Sequence, residues 1–321
     1  MAETLTTTLN YSGMLYTKTD EQTRFLDGIY SRGKNGGITP TNSIEVVMAS
    51  GYDMDEPAQP AISETASLTA PTPETTERTQ EFNVVQIFQK SVRVSYLKQS
   101  AVGLLAGVNN ASQVNNVPNE LDFQIGRRIA QLRMDLNYTL INGVYQYTKG
   151  SATVAPKTRG LLNAITTNLF DANGAKLTKS MINDAVMNSI SNGADPTAFE
   201  IWVNPAMLDV ITDLYATIPG SALPASRTEG GIAYNQILTP YAPINIEWEP
   251  RIPTGQILFV NMGQMAVSEM PYINELGENQ GVLFYERLAK TGASESGQLY
   301  GQLGCDYSAE WHHALLKNIG S

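Results

Sequence analysis

The sequence predicts an α+β protein, and three observations carry that reading. A long run of apolar residues recurs at helical spacing after Pro118. Short segments on either side of Gln89-Lys90 alternate apolar and polar residues, the pattern of half-buried strands. Beyond residue 176, helix-like and strand-like segments interleave as in a separate α/β unit.

The helix has the clearest signal. Leu121, Ile125, Ile129, Leu132, Leu136 and Leu140 form one stripe, leaving Arg127, Arg128, Arg133 and Asp135 for other faces. Pro118 suits the first helical position with Asn116 or Val117 near the cap, and Gly150 is the stop. A helix over about 118–148 would span about 45 Å. A coiled coil competes with this reading, but the stripe covers too few heptads to require one.

Before the helix, Ser43 to Ser50 reads as a strand. Residues 51–80 then carry Pro57, Pro60, Pro71 and Pro73 among Ser, Thr and Glu, a composition that does not fold alone. Glu81 to Phe88 and Ser91 to Leu97 read as two strands joined at Gln89-Lys90, so the whole becomes a long β-rich projection. Residues 1–43 have weak periodicity apart from Phe25, Leu26 and Ile29, which predict a short helix over Glu21 to Tyr30. The stretch is either a frayed terminus or an arm that orders only against a neighbour.

After the helix, Thr178 caps a helix containing Met181, Ile182, Ala185, Val186 and Ile190. Phe199 to Val203 is a strand, and Asn204-Pro205 starts a helix through Tyr215. Gly220 to Gly231 reads as an exposed loop. Ile244 to Trp248 and Ile257 to Val260 are strands around the turn Arg251 to Gly255. Tyr300 to Tyr307 and Trp311 to Ile319 close the chain as β structure, the second helical at its start.

Composition narrows the function. The chain has 321 residues, 42% apolar, with only 16% charged and a net charge of −10. Ordinary soluble domains carry roughly 25% charge. The length supplies a real core, and the acidic balance argues against a free-standing duplex DNA binder. One cysteine, Cys305, excludes an intrachain disulfide. The N-terminus lacks a basic segment followed by an apolar run, and no stretch approaches a membrane span; Ala101 to Val108 is far too short.

No catalytic motif emerges: there is no phosphate loop, dinucleotide fingerprint or nucleophile elbow. The two histidines, His312 and His313, are adjacent and would point to opposite faces of a strand, so with Cys305 they make a poor metal set. Cys305 reads as a small core residue. Glu247 and Glu249, like Asp53, Asp55 and Glu56, read as solvated acids rather than a glycosidase pair or cation site. Lys98, Arg127, Arg128 and Arg133 are expected in salt bridges and subunit contacts rather than on phosphate. Trp202, Trp248 and Trp311 are expected in packing, and fifteen tyrosines suit extensive interfaces. The expected catalytic, cofactor and metal sets are therefore empty.

Several blocks resemble a known family. Val85-Gln86-Ile87-Phe88-Gln89-Lys90-Ser91-Val92-Arg93-Val94-Ser95 is similar to its strand pair. Ile237 to Tyr241, Ile244 to Glu249 and Arg251-Ile252-Pro253 follow its strand, aromatic turn, strand and proline turn. Glu286 to Gly292, Gly301 to Cys305 and Glu310 to Ala314 resemble its closing elements, although the last strand and the tail depart from the usual pattern. The family is the SU10-type major head proteins of tailed bacteriophages, with the HK97-like capsid fold.

The resemblance implies an N-terminal arm over 1–49, an extended E-loop and its strands over 50–98, and a peripheral domain over 99–175 holding the spine helix. It implies a mainly axial domain over 176–280 and a return to the peripheral domain over 281–321. It implies a major capsid protein whose pentamers and hexamers close a shell around double-stranded DNA without sequence-specific binding. Portal and decoration proteins would be its partners, no membrane would be involved, and assembly would occur in the host cytoplasm to yield the virion. The alternatives are the shell of a protein-cargo compartment and a hydrolase-like enzyme with an unrecognised carboxylate site.

Overall fold

A computed structural model describes residues 20–52, 57–73, 75–100, 119–216, 226–228, 231–233 and 236–320. In chain order the first half holds α1 (Arg24–Arg32), β1 (Ile38–Pro40), β2 (Glu45–Tyr52), α2 (Glu64–Ser67), β3 (Arg78–Val84), β4 (Gln86–Ser95), α3 (Tyr96–Ser100) and α4 (Glu120–Asn142). Next come α5 (Leu161–Ala164), β5 (Leu169–Asp171), α6 (Lys179–Ser191), β6 (Phe199–Val203), α7 (Pro205–Ala216), β7 (Ser226–Thr228), β8 (Gly231–Ala233) and β9 (Gln236–Leu238). The chain ends with β10 (Pro243–Trp248), β11 (Ile257–Asn261), β12 (Ala266–Glu269), β13 (Leu283–Arg287), β14 (Ser294–Asp306) and β15 (Ala314–Lys317).

Two sheets organise these elements. The first is built on the 13-residue β14. Along one edge it pairs with β4 from Ser294 to Leu303. Along the other it pairs first with β13 and then with β12, which also carries β1. The second sheet runs β5-β15-β11-β6-β10-β9. Alternation along its central strands buries both faces. Ile201, Val203, Ile257, Phe259 and Leu316 meet α6 and α7 on one side. Trp202, Leu258, Val260 and Leu315 face the other core, shared with α1, α4 and the first sheet.

The helix α4 starts where its cap chemistry is complete. Asn119 accepts hydrogen bonds from the Leu121 and Asp122 amides, and Glu120 and Asp122 lie in the positive first turn. The Pro118 start and the Asn116 or Val117 cap lie outside the described residues. The helix stops at Asn142 rather than near Gly150. Its end is fixed by a crossing of two glycines: the Gly160 amide bonds to the Gly143 carbonyl. A Cβ on Gly143 would lie 2.6 Å from the Thr139 and Thr158 carbonyl oxygens, so only glycine lets the segments cross this closely where the helix ends.

The predicted stripe holds with one correction. Leu121, Leu132, Leu136 and Leu140 are buried, and Ile125 packs against Val92, Val94 and Leu121, whereas Ile129 is 37% exposed. On β4 the residues facing the helix are Phe88, Lys90, Val92 and Val94. Lys90 pairs with Asp135 at 2.7 Å and splits the seam into two apolar clusters. Ile129 falls at that split.

The strand partition also differs. The break falls at Val85, not at Gln89-Lys90, and β3 pairs with β2 rather than with β4. The hairpin is therefore β2–β3, with residues 53–77 between its arms. Residues 24–32 form neither a frayed end nor an arm awaiting a neighbour: Phe25, Leu26 and Ile29 are fully buried in their own chain. Segment 281–321 does not stay in one sheet, because β13 and β14 belong to the first and β15 inserts between β5 and β11 in the second. Thr178 caps α6, and Asn204 accepts from the Ala206 amide at the start of α7, as the sequence predicts. Of the Gly220–Gly231 loop, residues 220–225 and 229–230 lie outside the described residues; β7 and β8 pair antiparallel around its end.

Candidate functional site

The residues singled out for chemistry are occupied structurally. Cys305 is buried, and burial together with the neighbouring Asp306 pushes its thiol well above the usual range. His313 is also buried. Its Nδ1 accepts from the Asn261 amide at 3.2 Å, so Nε2 carries the proton and donates to the Tyr307 carbonyl at 2.9 Å. Burial lowers its pKa to about 4, holding the ring neutral. His312 is only partly buried and meets the Gln264 side chain. Among the described residues no group of three or more His, Cys, Asp or Glu converges as a metal site.

Glu249 corrects an expectation, because it is fully buried rather than solvated. It accepts from the Phe25 amide at 3.4 Å and pairs with Arg251 at 2.9 Å. Arg251 in turn donates to the carbonyls of Gln22 and Asp20. The exposed amides of the first turn of α1 need an acceptor, and Arg251 neutralises the one supplied. Glu247 remains partly exposed. Asp53, Asp55 and Glu56 lie outside the described residues.

The cations pair within the chain. Lys98 reaches Glu120 at 3.0 Å, Arg127 reaches Glu21 at 2.9 Å, and Arg133 reaches Asp27 at 2.6 Å. Arg128 bonds to the Gln131 side chain. Trp202 is a core residue packed edge-on against Phe25, while Trp248 lies under the Arg24 guanidinium.

Among the described residues, the stretch with the least intrachain support is the tip of the β2–β3 hairpin. Its base is fastened to its own subunit. Asn83 and Arg159 exchange hydrogen bonds, at 3.0 Å from the Asn83 side chain to the Arg159 carbonyl and 2.8 Å in return. Asn83 also donates to the Cys305 carbonyl. Trp311 packs beneath Gly51, where a Cβ would approach the ring to 3.1 Å. Glu81 stands 3.6 Å from Arg159, and burial, then the charge of Glu310, raises its carboxyl above the ordinary range. Glu310 itself accepts from the Thr166 and Thr167 amides and the Thr167 hydroxyl.

Away from the base the support ends. All residues from 57 to 73 are exposed, including Ile62 and Leu68, the latter at 84%. On the outer face of the hairpin the cross-strand pair Val47 and Phe82 is nearly half exposed on both sides. A second apolar point is Leu276, 82% exposed on the turn between β12 and β13. Asn274 holds that turn by accepting from the Leu276 and Glu278 amides. Exposed apolar groups on rigid supports are the usual marks of an association surface. Sequence reasoning found the projecting segment through its composition but missed Asn83, Arg159 and the buried Glu249, whose roles depend on contacts distant in sequence.

Comparison with solved structures identifies the fold. The capsid of cyanophage A-1(L) superposes with a TM-score of 0.64 at 12% identity, covering 98% of this chain and 96% of that chain. The capsid of cyanophage P-SCSP1u gives 0.57 at 9% identity over 97% and 92%. The SrpI encapsulin of Synechococcus elongatus PCC 7942 gives 0.56 at 13% identity over 96% and 93%. The fold is thus the HK97-like fold. No curated protein matches the chain. The SU10 major capsid protein family matches residues 1–320, and the chain belongs to that family. It is a structural, capsid-forming protein of the virion. Among the described residues no helix is long and apolar enough to cross a membrane.

Proposed function

We propose that this chain is the major head protein of a tailed phage, forming pentamers and hexamers that close an icosahedral or elongated shell around double-stranded DNA. The observation that carries the proposal is the β2–β3 hairpin: fastened at its base, exposed along its tip, and present in a chain of a capsid family. A tip with so little apolar area gains nothing from ordering inside one subunit. Across a neighbour, combined burial offsets the ordering entropy. On this reading residues 1–49 are the N-terminal arm, rooted in its own subunit by the buried face of α1, 50–98 the E-loop and its strands, and α4 the spine helix of the peripheral domain over 99–175. Residues 176–280 are mainly axial, and β13 and β14 return to the peripheral domain. The Gly220–Gly231 loop lies near the capsomer axis. Assembly takes place in the host cytoplasm, with portal and decoration proteins as partners.

Electron microscopy of particles assembled from the chain, with nuclease-resistant DNA measured in phage lysates, tests this directly. Uniform shells with packaged DNA support it. Uniform shells carrying protein instead of DNA would make the chain a cargo compartment, a reading favoured by the encapsulin likeness alone. Strong protection of residues 57–73 from hydrogen exchange only after assembly supports the intersubunit hairpin. A loop at 220–231 found at the outer rim of each capsomer rejects that placement.

A further inference from the structure

We infer that Asn35 is a site of spontaneous covalent modification, at which the side-chain amide is lost and the backbone is rerouted through an isoaspartate. The chain holds four Asn-Gly pairs, beginning at Asn35, Asn142, Asn173 and Asn192. Glycine after asparagine leaves the next backbone nitrogen unshielded by a side chain. That nitrogen gives up its proton to solvent base and attacks the asparagine Cγ; the Cγ–Nδ2 bond breaks and ammonia departs. Water then opens the five-membered succinimide at either carbonyl, giving isoaspartate or aspartate. In sum one water is consumed and one ammonia released, with no change of oxidation state.

The fold holds three of the pairs and leaves the fourth open. The Asn142 side chain donates to the Arg251 carbonyl at 3.0 Å, and the Gly143 amide donates to the Thr139 carbonyl at 2.8 Å. Asn192 donates to the Asn168 side chain at 2.7 Å, and the Gly193 amide to the Ile190 carbonyl at 2.9 Å. Beside Asn173, the Gly174 amide donates to the Asn318 carbonyl at 2.8 Å, and a Cβ on Gly320 would come within 2.2 Å of the Gly174 carbonyl oxygen. Asn35 and Gly36, by contrast, are both exposed, and among the described residues nothing hydrogen-bonds to the Asn35 side chain. At φ 52°, ψ 34° and φ 72°, ψ 26° they lie near the two central positions of a type I′ turn, in Lys34–Gly37 between α1 and β1. That ψ turns the Gly36 nitrogen away from the Asn35 side chain. Flipping the one peptide plane between the two residues changes ψ of Asn35 and φ of Gly36 in opposite senses, keeps the ends of the turn in place and carries the nitrogen toward Cγ. Glycine accepts the φ values swept, and a Cβ on Gly36 would find nothing within 4 Å to oppose the motion.

Both ends of the turn are fixed, so an added backbone atom is not absorbed locally. The Lys34 amide donates to the Met265 carbonyl at 3.0 Å, and a Cβ on Gly37 would lie 2.4 Å from the Ile29 carbonyl oxygen. Lys34 and Thr39, on either side of the turn, both bond to the buried Asp306, each at 2.7 Å. An isoaspartate lengthens the main chain by one atom and adds a carboxylate beside Lys34. Both changes loosen β1 from β12. The reaction runs one way and needs only water, so the converted fraction records the time since synthesis.

The test incubates the full chain in heavy-oxygen water at mildly alkaline pH and follows the label at the four pairs by peptide mass spectrometry. Conversion at Asn35 is expected to be at least about tenfold faster than at the other three, whose reaction waits on opening of the structure. In urea the four rates should converge. Amide exchange at Thr41, whose nitrogen donates to the Glu269 carbonyl just beyond β1, should quicken as conversion proceeds. In the full chain carrying Asn35→Gln it should stay constant with age. No label at Asn35, equal rates at all four pairs in the folded chain, or the same inequality in urea overturns the assignment. Thr41 exchange that is unchanged by conversion, or that quickens equally in both chains, overturns the link to β1.

Discussion

The six-stranded sheet and the five-stranded sheet differ in how much of their burial comes from one chain. Every residue of β6 and β11 is buried, with helices on one face and the shared core on the other. The five-stranded sheet covers one face with α4 and leaves Ile87, Gln89, Ser91 and Arg93 outward. Beside it, the tip of the separate β2–β3 hairpin is exposed over residues 57–73. One half of the molecule is buried by its own chain; on the proposed reading the other is completed by association. The difference predicts that substitutions of similar chemistry have unequal effects on the isolated subunit.

The largest effect is expected in the closed half. Phe259→Ala removes a fully buried ring between α6, α7 and the sheet and should cost about 3–5 kcal/mol in urea unfolding of the free subunit. Next is Arg251→Leu, which leaves the buried Glu249 without its cation; about 3 kcal/mol is expected, together with faster proteolysis of residues 20–32. A loss near zero would show that the α1 attachment does not depend on this pair.

The pH dependence comes third. The folded pKa of His313 is depressed to about 4 from 6.5, so the unfolded chain binds the extra proton between those values. Its contribution is complete above pH 6.5 and is lost as pH falls toward 4, worth roughly 3 kcal/mol at most. Glu81 acts in the opposite direction, because its raised carboxyl favours the folded state at low pH and loses that contribution as pH rises. Subtracting the urea stability profile of His313→Gln from that of the unaltered chain should isolate the histidine. A difference that stays flat from pH 7 to pH 4 would exclude it.

The smallest effect sharpens the contrast. Ile129→Asp should cost the free subunit less than about 1 kcal/mol, as expected for a surface position, whereas Leu136→Asp, about two turns further along the same helix and buried, should prevent folding. If Ile129→Asp instead weakens assembly, the exposed gap at Lys90 faces a neighbour. Equal damage to the free subunit by both changes would contradict the split seam.

Much of this was legible in the sequence wherever the decisive contact is local. The α4 stripe, the Thr178 and Asn204 caps and β6 follow from spacing and capping chemistry a few residues apart. The failures share a cause. Nothing between Glu81 and Leu97 reveals that β3 turns back to β2, because the register is set by Val47 meeting Phe82, 35 positions on, and by a bulge. Ile129 satisfies helical periodicity, yet it is 37% exposed, between the two apolar clusters that Lys90 and Asp135 separate. Glu249 looks like any strand-end acid until α1 is docked on it. For the association surface, composition marked residues 51–80, while Leu276 stands out only once the Asn274 turn is seen to hold it outward.

The shared strand β14 has a consequence during synthesis. Gln89 and Gln298 bond across the β4–β14 ladder although they are 209 residues apart. At roughly 5–20 residues per second, β4 leaves the ribosome about 10–40 s before its partner exists. Throughout that interval a ten-residue strand with Phe88, Val92 and Val94 on one face is exposed on every nascent chain. A virion protein is made in many copies at once, so nascent chains crowd together with matching unpaired strands. The delay between β4 and β14 therefore sets a limit on how fast the protein can be produced before the chains aggregate, and a chaperone that shields β4 would raise that limit.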